Sequence, residues 1–289
     1  FTIQIDDRTG LYSVADMTVT LANHDKEFSK LMAQYFLKNQ WVQIFISFHQ
    51  DPDNWKTKLM ALVVDDHWME GPFFKVKLKD LTNKYFKMKV PQNMITLDDY
   101  PHAHEGAVTQ RMPDALGLNV LQEDPPGAME ALYIDTRAGV WQYLALGASG
   151  NILTVYSDGN IMTEGALNDY TISFGVGGIT LINFTSDQGN NKITFDCEGY
   201  SYPDWNSPNG YVQNPIYIIA FFLSFIMQMP LNFLDLVAWD ELAQDFEDEG
   251  LGEVGRLPIQ NEGSAETILM ELLRTYKVKL WLTKDGKLR

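Results

Sequence analysis

Lys75-Val76-Lys77-Leu78-Lys79 decides the fold class. Charged and apolar residues alternate with a period of two, so a strand here would hold three lysines on a wet face and Val76 and Leu78 on a core face. The alternation extends outward through the first 90 residues. Phe1, Ile3 and Ile5 alternate with Thr2, Gln4 and Asp6; Thr18-Val19-Thr20-Leu21 repeats the pattern, and so does Val42-Gln43-Ile44-Phe45-Ile46-Ser47-Phe48. Asn23-His24-Asp25, Asp51-Pro52-Asp53-Asn54 and Glu70-Gly71-Pro72 supply turns. Residues 28–37 read as a short helix between strands. Four or five strands at such spacing predict a barrel or a sandwich.

Beyond this module the texture changes. Residues 91–130 carry Pro91, Pro101, Pro113, Pro125 and Pro126 and few β-branched runs, which predicts a long connector at a module boundary. Residues 131–200 return to strand patterns at 133–134, 152–156, 170–174, 179–182 and 192–196, with hairpin turns at Ser157-Asp158-Gly159-Asn160 and Gln188-Gly189-Asn190. Residues 141–148 read as a short helix. A polar loop over 201–213 leads to Asn214-Pro215, a helix start with Pro in the first turn. Further helices are predicted at 240–244 and 264–276, the latter capped by Ser264 with Ile268, Leu269, Leu272 and Leu273 on its apolar face. A strand at 277–282 and a turn at Lys284-Asp285-Gly286-Lys287 close the chain.

The chain has 289 residues, 22 Lys and Arg against 38 Asp and Glu, and a formal charge of −16. So acidic a protein lacks the basic face that general nucleic-acid binding or an anionic membrane surface requires. Hydrophobic residues at 45% exclude disorder as the general state. The single cysteine, Cys197, excludes an internal disulfide and a multi-cysteine metal site, and fits a reducing compartment. Residues 216–229 run for 14 positions without a charge, short of the ~20 a membrane span needs, and predict a buried helix or a pair of core strands. Residues 90–255 hold three cations, Arg111, Arg137 and Lys192, against 23 acids, eight of them within 235–253. That block reads as a solvated face or, more sharply, as an acidic patch for a basic partner. The start at Phe1 and the end at Arg289 are expected to be cut ends of a longer protein, which leaves a leader peptide open.

No string carries a recognisable chemistry. His102-Ala103-His104-Glu105 would put both imidazoles on one strand face, yet it sits in a Pro-rich connector without a third ligand. Asp65-Asp66-His67 and Asp98-Asp99 would point to alternate faces of a strand and fail to converge. Cys197 has no neighbouring His or Lys to lower its pKa and reads as a structural thiol. Gly175-Val176-Gly177-Gly178 lacks the Lys-Ser/Thr of a phosphate loop and reads as a tight hairpin turn. With 38 acids, a glycosidase carboxylate pair is a matter of geometry that no string decides. No catalytic, cofactor-binding or metal-ligating residue is assigned, no cofactor is implied, and the residues read as a β-rich, multi-module chain that is not an enzyme.

Several stretches resemble the hub proteins of phage tails and related injection machines. Residues 6–29, with Thr20-Leu21-Ala22-Asn23-His24-Asp25 leading into Phe28-Ser29, resemble the family's opening hairpin. Lys79-Asp80-Leu81, Tyr85-Phe86 and Pro91, followed by 97–105, are similar to the family's exit from its first barrel into a connector. Residues 143–147, 152–159 and 180–199 resemble its inserted β domain, and 264–289, ending Asp285-Gly286-Lys287-Leu288-Arg289, resembles the element that starts the next module. The sequence departs from the family at Met112-Pro113-Asp114-Ala115-Leu116-Gly117. These are fold motifs, spread in patches over about two thirds of the chain.

The expected fold is therefore mainly β with some α (α+β). Residues 1–90 form the first part of a tail-tube-like β-barrel, 91–130 the connector, 131–200 an inserted β-rich domain and 201–289 a helix-containing segment starting a further module. The resemblance implies a structural hub or tip component of a phage tail or tail-like particle. It would assemble as a homotrimer, with tail tube protein on one side and a spike or tip protein on the other. DNA would pass through unbound, no membrane would be spanned, and the protein would reside in the virion tail after assembly in the host cytoplasm. The alternatives are a carbohydrate-binding or adhesin-like β protein, suggested by the loop aromatics Trp55, Tyr202, Trp205 and Tyr211, and a cell-wall hydrolase.

Overall fold

The computed structural model describes residues 3–6, 11–14, 17–35, 37–38, 40–47, 56–79, 85–121, 126–203, 205, 210–281, 283 and 287–289. The expected turn at 51–54, Trp55, and parts of the expected features at 1–2, 7–10, 80–81, 204–209 and 284–286 lie outside the described residues. The chain divides into two compact units: residues 1–88, 228–238 and 265–289 form the first, and 89–227 and 239–264 the second. The fold is mixed α and β, with antiparallel sheets throughout; among the described residues no sheet closes on itself.

In the first unit, β1 (Ile3–Asp6) and β2 (Leu11–Val14) form a hairpin. β3 (Met17–Ala22) leads into helix α1 (Glu27–Gln34), and β4 (Trp41–Ser47), β5 (Lys56–Glu70) and β6 (Phe73–Lys79) follow. The sheet order is β3-β6-β5-β4. The Lys75–Lys79 alternation does what its period predicts: Leu78 is buried with Leu62 and Val64, and Val76 packs against them. The lysines are only half exposed, because Asp65 and Glu70 meet them. Lys79 lies 2.8 Å and Lys77 3.5 Å from the Asp65 carboxylate, and Lys75 pairs with Glu70. A register shift between Val64 and Asp66 makes Asp65 the bulged residue of β5, which turns its side chain toward two lysines of β6 at once. The Phe28 ring stacks on Phe74 at 5.0 Å and seats α1 on the sheet.

The second unit begins with β7 (Lys89–Val90). The stretch expected to be a connector packs into its core: Ile95, Ala107 and Met112 are buried with Ile134, Leu144, Ile179 and Leu181. It also supplies β8 (Asp114–Asn119) and β9 (Met129–Glu130). There follow β10 (Leu132–Asp135), β11 (Trp141–Leu146), β12 (Asn151–Ser157), β13 (Asn160–Ile161), β14 (Tyr170–Phe174), β15 (Thr180–Phe184) and β16 (Ile193–Glu198). A four-stranded sheet runs β10-β11-β15-β14. The short helix expected at 141–148 is instead β11, central in that sheet. Its Tyr143 and Ala145 face one core cluster and Leu144 faces another, so both faces are apolar and no period of two is visible.

A mostly apolar core joins the two sheets through Phe195, Ile182, Val155 and Met129. The hairpin at Ser157–Asn160 turns through Asp158 (φ 45°) and Gly159 (φ 79°), the left-handed pair that matches strand twist. Gly175–Gly178 forms the tip of the β14–β15 hairpin, with Gly175 N–H donating to the Ile179 carbonyl.

Helix α2 (Pro215–Phe221) continues as a π-turn over Phe222–Ile226. Asn214 caps it by accepting from Ile216 N–H at 2.9 Å. The apolar run is thus the buried helix of the two expected alternatives. No described helix is long and apolar enough to cross a membrane. Residues of α3 (Leu236–Asp248) from Trp239 onward belong to this unit, and the Asn214 amide donates to the Ala243 carbonyl and to Glu247. β17 (Arg256–Ile259) joins β8 at the edge of a larger sheet, ordered β13-β12-β16-β8-β17. β18 (Gly263–Ser264) pairs with β7.

The chain then returns to the first unit as α4 (Ala265–Tyr276), whose Leu269, Leu272 and Leu273 are buried on the predicted face. In place of a regular strand at 277–282, Trp281 and Arg289 exchange a pair of backbone hydrogen bonds at 3.0 Å.

Candidate functional site

The sequence-level candidates resolve into structural roles. His104 stacks on Tyr133, which stacks on Tyr143, which meets Phe184 edge-on. The His104 Nδ1 accepts the Gly106 N–H at 3.1 Å, leaving the imidazole part of a ring column. The His102 carbonyl accepts from Thr136, and among the described residues no three His, Cys, Asp or Glu side chains converge as a metal set. Asp66 accepts its neighbour's N–H while Asp65 serves the lysines, so Asp65, Asp66 and His67 diverge. The Cys197 thiol lies buried 3.7 Å from the Met129 sulfur, and burial pushes it up to about 12, the behaviour of an inert thiol.

Two expectations are corrected. Tyr202, Trp205 and Tyr211, read as loop aromatics open to solvent, pack inward: Trp205 is 6% and Tyr211 4% exposed. Trp205 stacks on Tyr217 at 5.8 Å, and Tyr202 meets Phe225 at 4.9 Å. Asp98 and Asp99 lie in a turn and not on a strand, and both line the same cleft.

That cleft, of about 920 Å³, lies wholly in the second unit. Asn93, Asp98, Asp99 and Gln142 give it a polar wall, and Ile179 and Leu181 an apolar floor. Asp99 accepts the Thr96 hydroxyl at 2.7 Å, and Gln142 donates to Asn183 at 2.7 Å, so part of the polar wall is held in place. Thr96 and Asp99 are the hydroxyl and carboxylate that meet in it, and their contact is exposed.

A second cleft, of about 300 Å³, lies along β14. Ile152, Ile172, Phe174 and Tyr211 form its apolar walls, and Glu164 and Glu198 bring two carboxylates to it. Glu198 accepts from the Asn151 amide at 2.8 Å. Nothing in the sequence marks Glu164 and Glu198 as partners; the loop that covers Tyr170 and the end of β16 in the neighbouring sheet bring them to one opening.

Asp114 opens β8, and the Tyr200 hydroxyl donates to it at 2.5 Å. Burial raises the Asp114 carboxyl to about 6, against the lowering effect of the Tyr200 hydrogen bond. A raised carboxyl favours the protonated native state. Its contribution to stability is complete below the ordinary carboxylate range and is lost as pH climbs through about 6. Asp114→Asn keeps an oxygen for Tyr200 without the charge. The variant is expected to match the parent at pH 4 and to exceed it at pH 8 by about 1–2 kcal/mol, allowing for the carboxyl's partial exposure. Urea unfolding at the two pH values checks this; an equal change in stability from pH 4 to pH 8 in both proteins contradicts it.

Comparison with protein-family models, with curated proteins and with solved structures gives no match to this chain.

Proposed function

We propose that the chain is a structural hub component of a phage tail or tail-like injection particle, joining the tail tube to the baseplate or spike. The observation that supports this most is the chain's interleaving. The first unit is assembled from residues 1–88, 228–238 and 265–289, with the β-rich second unit inserted between them. The hub resemblance implies a tube-like barrel followed by an inserted β domain; residues 265–289, expected to start a further module, group instead with the first unit. The sheet of the first unit ends in β3 on one side and β4 on the other. Sheet edges carry backbone groups that seek a neighbouring strand, which suits a barrel completed by, or abutting, other subunits. The formal charge of −16 suits a lumen through which a polyanion slides without binding.

Three copies would present the tube-like modules to a tail tube, so the protein is expected to be a homotrimer. Light scattering on a size-exclusion column across a concentration series is expected to give a three-chain mass. A single-chain mass at every concentration, together with retention on immobilised glycans, would favour the carbohydrate-binding alternative.

A further inference from the structure

β14 is the last strand of its sheet, and its outer edge opens on the smaller cleft. The pairing parity is fixed at both ends. Gly175 N–H bonds to the Ile179 carbonyl at 2.9 Å, so residues 171, 173 and 175 turn their peptide groups toward β15. At the other end the Tyr170 carbonyl accepts from Gly165 N–H at 2.7 Å, so Tyr170 faces away from β15. Ile172 and Phe174, in phase with Tyr170, therefore aim their N–H and C=O groups outward. The segment 163–165 covers Tyr170 and stops there. Phe174 is 64% exposed.

Among the described residues, no cation meets the charge of this cleft. Neither Glu164 nor Glu198 has an ion-pair partner among the described residues. Of the cations in this unit, Lys89 and Arg111 pair with Glu262, Arg137 with Asp135 and Lys192 with Glu130, and Arg256 pairs with neither Glu164 nor Glu198 among the described residues. Among the described residues, an unpaired strand edge, an apolar wall and two carboxylates without an ion pair thus coincide.

We propose that this cleft docks an extended basic segment of a partner protein, added as a further strand to the Ile172–Phe174 edge with a Lys or Arg side chain directed to Glu198 and Glu164. Strand addition supplies affinity through main-chain hydrogen bonds and specificity through the pockets for alternate side chains. A residue placed opposite Ile172 shares its face of the sheet. Ile172 packs on the core cluster that holds Ile152. A lysine there would lay its methylene stem on Ile152 and Tyr211 and carry its ammonium to the carboxylates. The proposal stands apart from the hub reading, since any basic strand donor satisfies it.

The test is fluorescence anisotropy with labelled heptapeptides of alternating Thr and Val, carrying one Lys or one Glu at each position in turn. At least one Lys peptide is expected to bind saturably, and its Glu counterpart at least tenfold more weakly. Glu198→Gln keeps an oxygen for Asn151 and is expected to weaken the Lys peptide tenfold or more. Phe174→Pro deletes an outward N–H without touching a β15 bond and is expected to do the same. Glu164→Gln provides a third variant that alters no strand, should the proline variant fail to fold. Val176→Asp, outside the cleft, is expected to leave the affinity within twofold.

Absence of binding by every peptide would overturn the proposal. So would equal binding to the parent, Glu198→Gln and Glu164→Gln proteins, which would mark a diffuse acidic surface. Self-association that Phe174→Pro abolishes would assign the edge to a second copy of the chain and overturn it as well.

Discussion

Gly199→Ala is expected to destabilise the protein by more than about 4 kcal/mol, the range reached only when a core or backbone contact is broken outright. A Cβ at Gly199 would lie inside van der Waals contact of the Ala115 carbonyl oxygen and carbon and of the Leu116 Cα. These are backbone atoms already committed: the Ala115 carbonyl accepts from Tyr200 N–H at 3.0 Å, and Gly199 N–H donates to the Gly117 carbonyl at 2.9 Å. Gly117 in turn has φ +72°, and a Cβ there would strike the Gly255 carbonyl. Glycines thus recur where β8 meets the end of β16 on one side and the entry to β17 on the other. No side-chain rotation relieves such a clash, so the ladder itself must open. Gly189→Ala is the comparison. Its φ is +60° but nothing lies within 4 Å of its added Cβ, and it is expected to cost only about 1–2 kcal/mol of left-handed strain. Urea midpoints of the two variants, measured side by side, check the contrast. A Gly199→Ala protein as stable as Gly189→Ala would mean that the sheet is not so closely built.

What the sequence displays and what it hides differ for physical reasons. Strands with one wet face declare themselves, as Lys75–Lys79 does, and so does a hairpin whose Asp158-Gly159 pair needs left-handed backbone. Asn214-Pro215 announces a helix start because cap and proline act locally. Residues 141–146 hide because Tyr143 and Leu144 meet apolar neighbours on opposite faces. Residues 91–130 read as a connector because Ile95, Ala107 and Met112 enter the core from turns, where burial has no period. Trp205 and Tyr211 look exposed from their Ser, Asn and Gly neighbours, yet aromatic area is buried wherever a partner such as Tyr217 is in reach. The smaller cleft was invisible for a further reason. Its Glu164, Ile172 and Glu198 come from separate stretches of chain, and the packing of two different sheets on a common core brings them together. The Asp114–Tyr200 bond likewise joins residues 86 positions apart.

Asp196→Ala is expected to cost about 3–5 kcal/mol, the sum of two or three buried donors left without an acceptor. Asp196 sits on β16 and is 3% exposed. One carboxyl oxygen accepts the N–H groups of Leu121 and Ala128, each at 3.0 Å, and the other accepts the Tyr156 hydroxyl at 2.9 Å. The side chain therefore ties both ends of the 121–128 segment to the central sheet, and Gly127 N–H closes that segment onto the Leu121 carbonyl at 2.9 Å. Alanine offers none of these acceptors and leaves a void besides. Asp196→Asn retains one oxygen for the two backbone donors, and the Tyr156 hydroxyl can rotate to accept from the new amide, so a loss of about 1 kcal/mol is expected. Tyr156→Phe removes a single donor and is expected to cost a similar amount. In the Asp196→Ala background the Tyr156→Phe change should cost less than it does alone, because its hydrogen-bond partner is already gone. Hydrogen exchange gives the local readout: the Leu121 and Ala128 amides should lose protection in Asp196→Ala far more than the β12–β16 ladder does. If those two amides stay protected while global stability falls, the carboxyl supports the sheet through Tyr156, and the 121–128 segment is held by its own contacts.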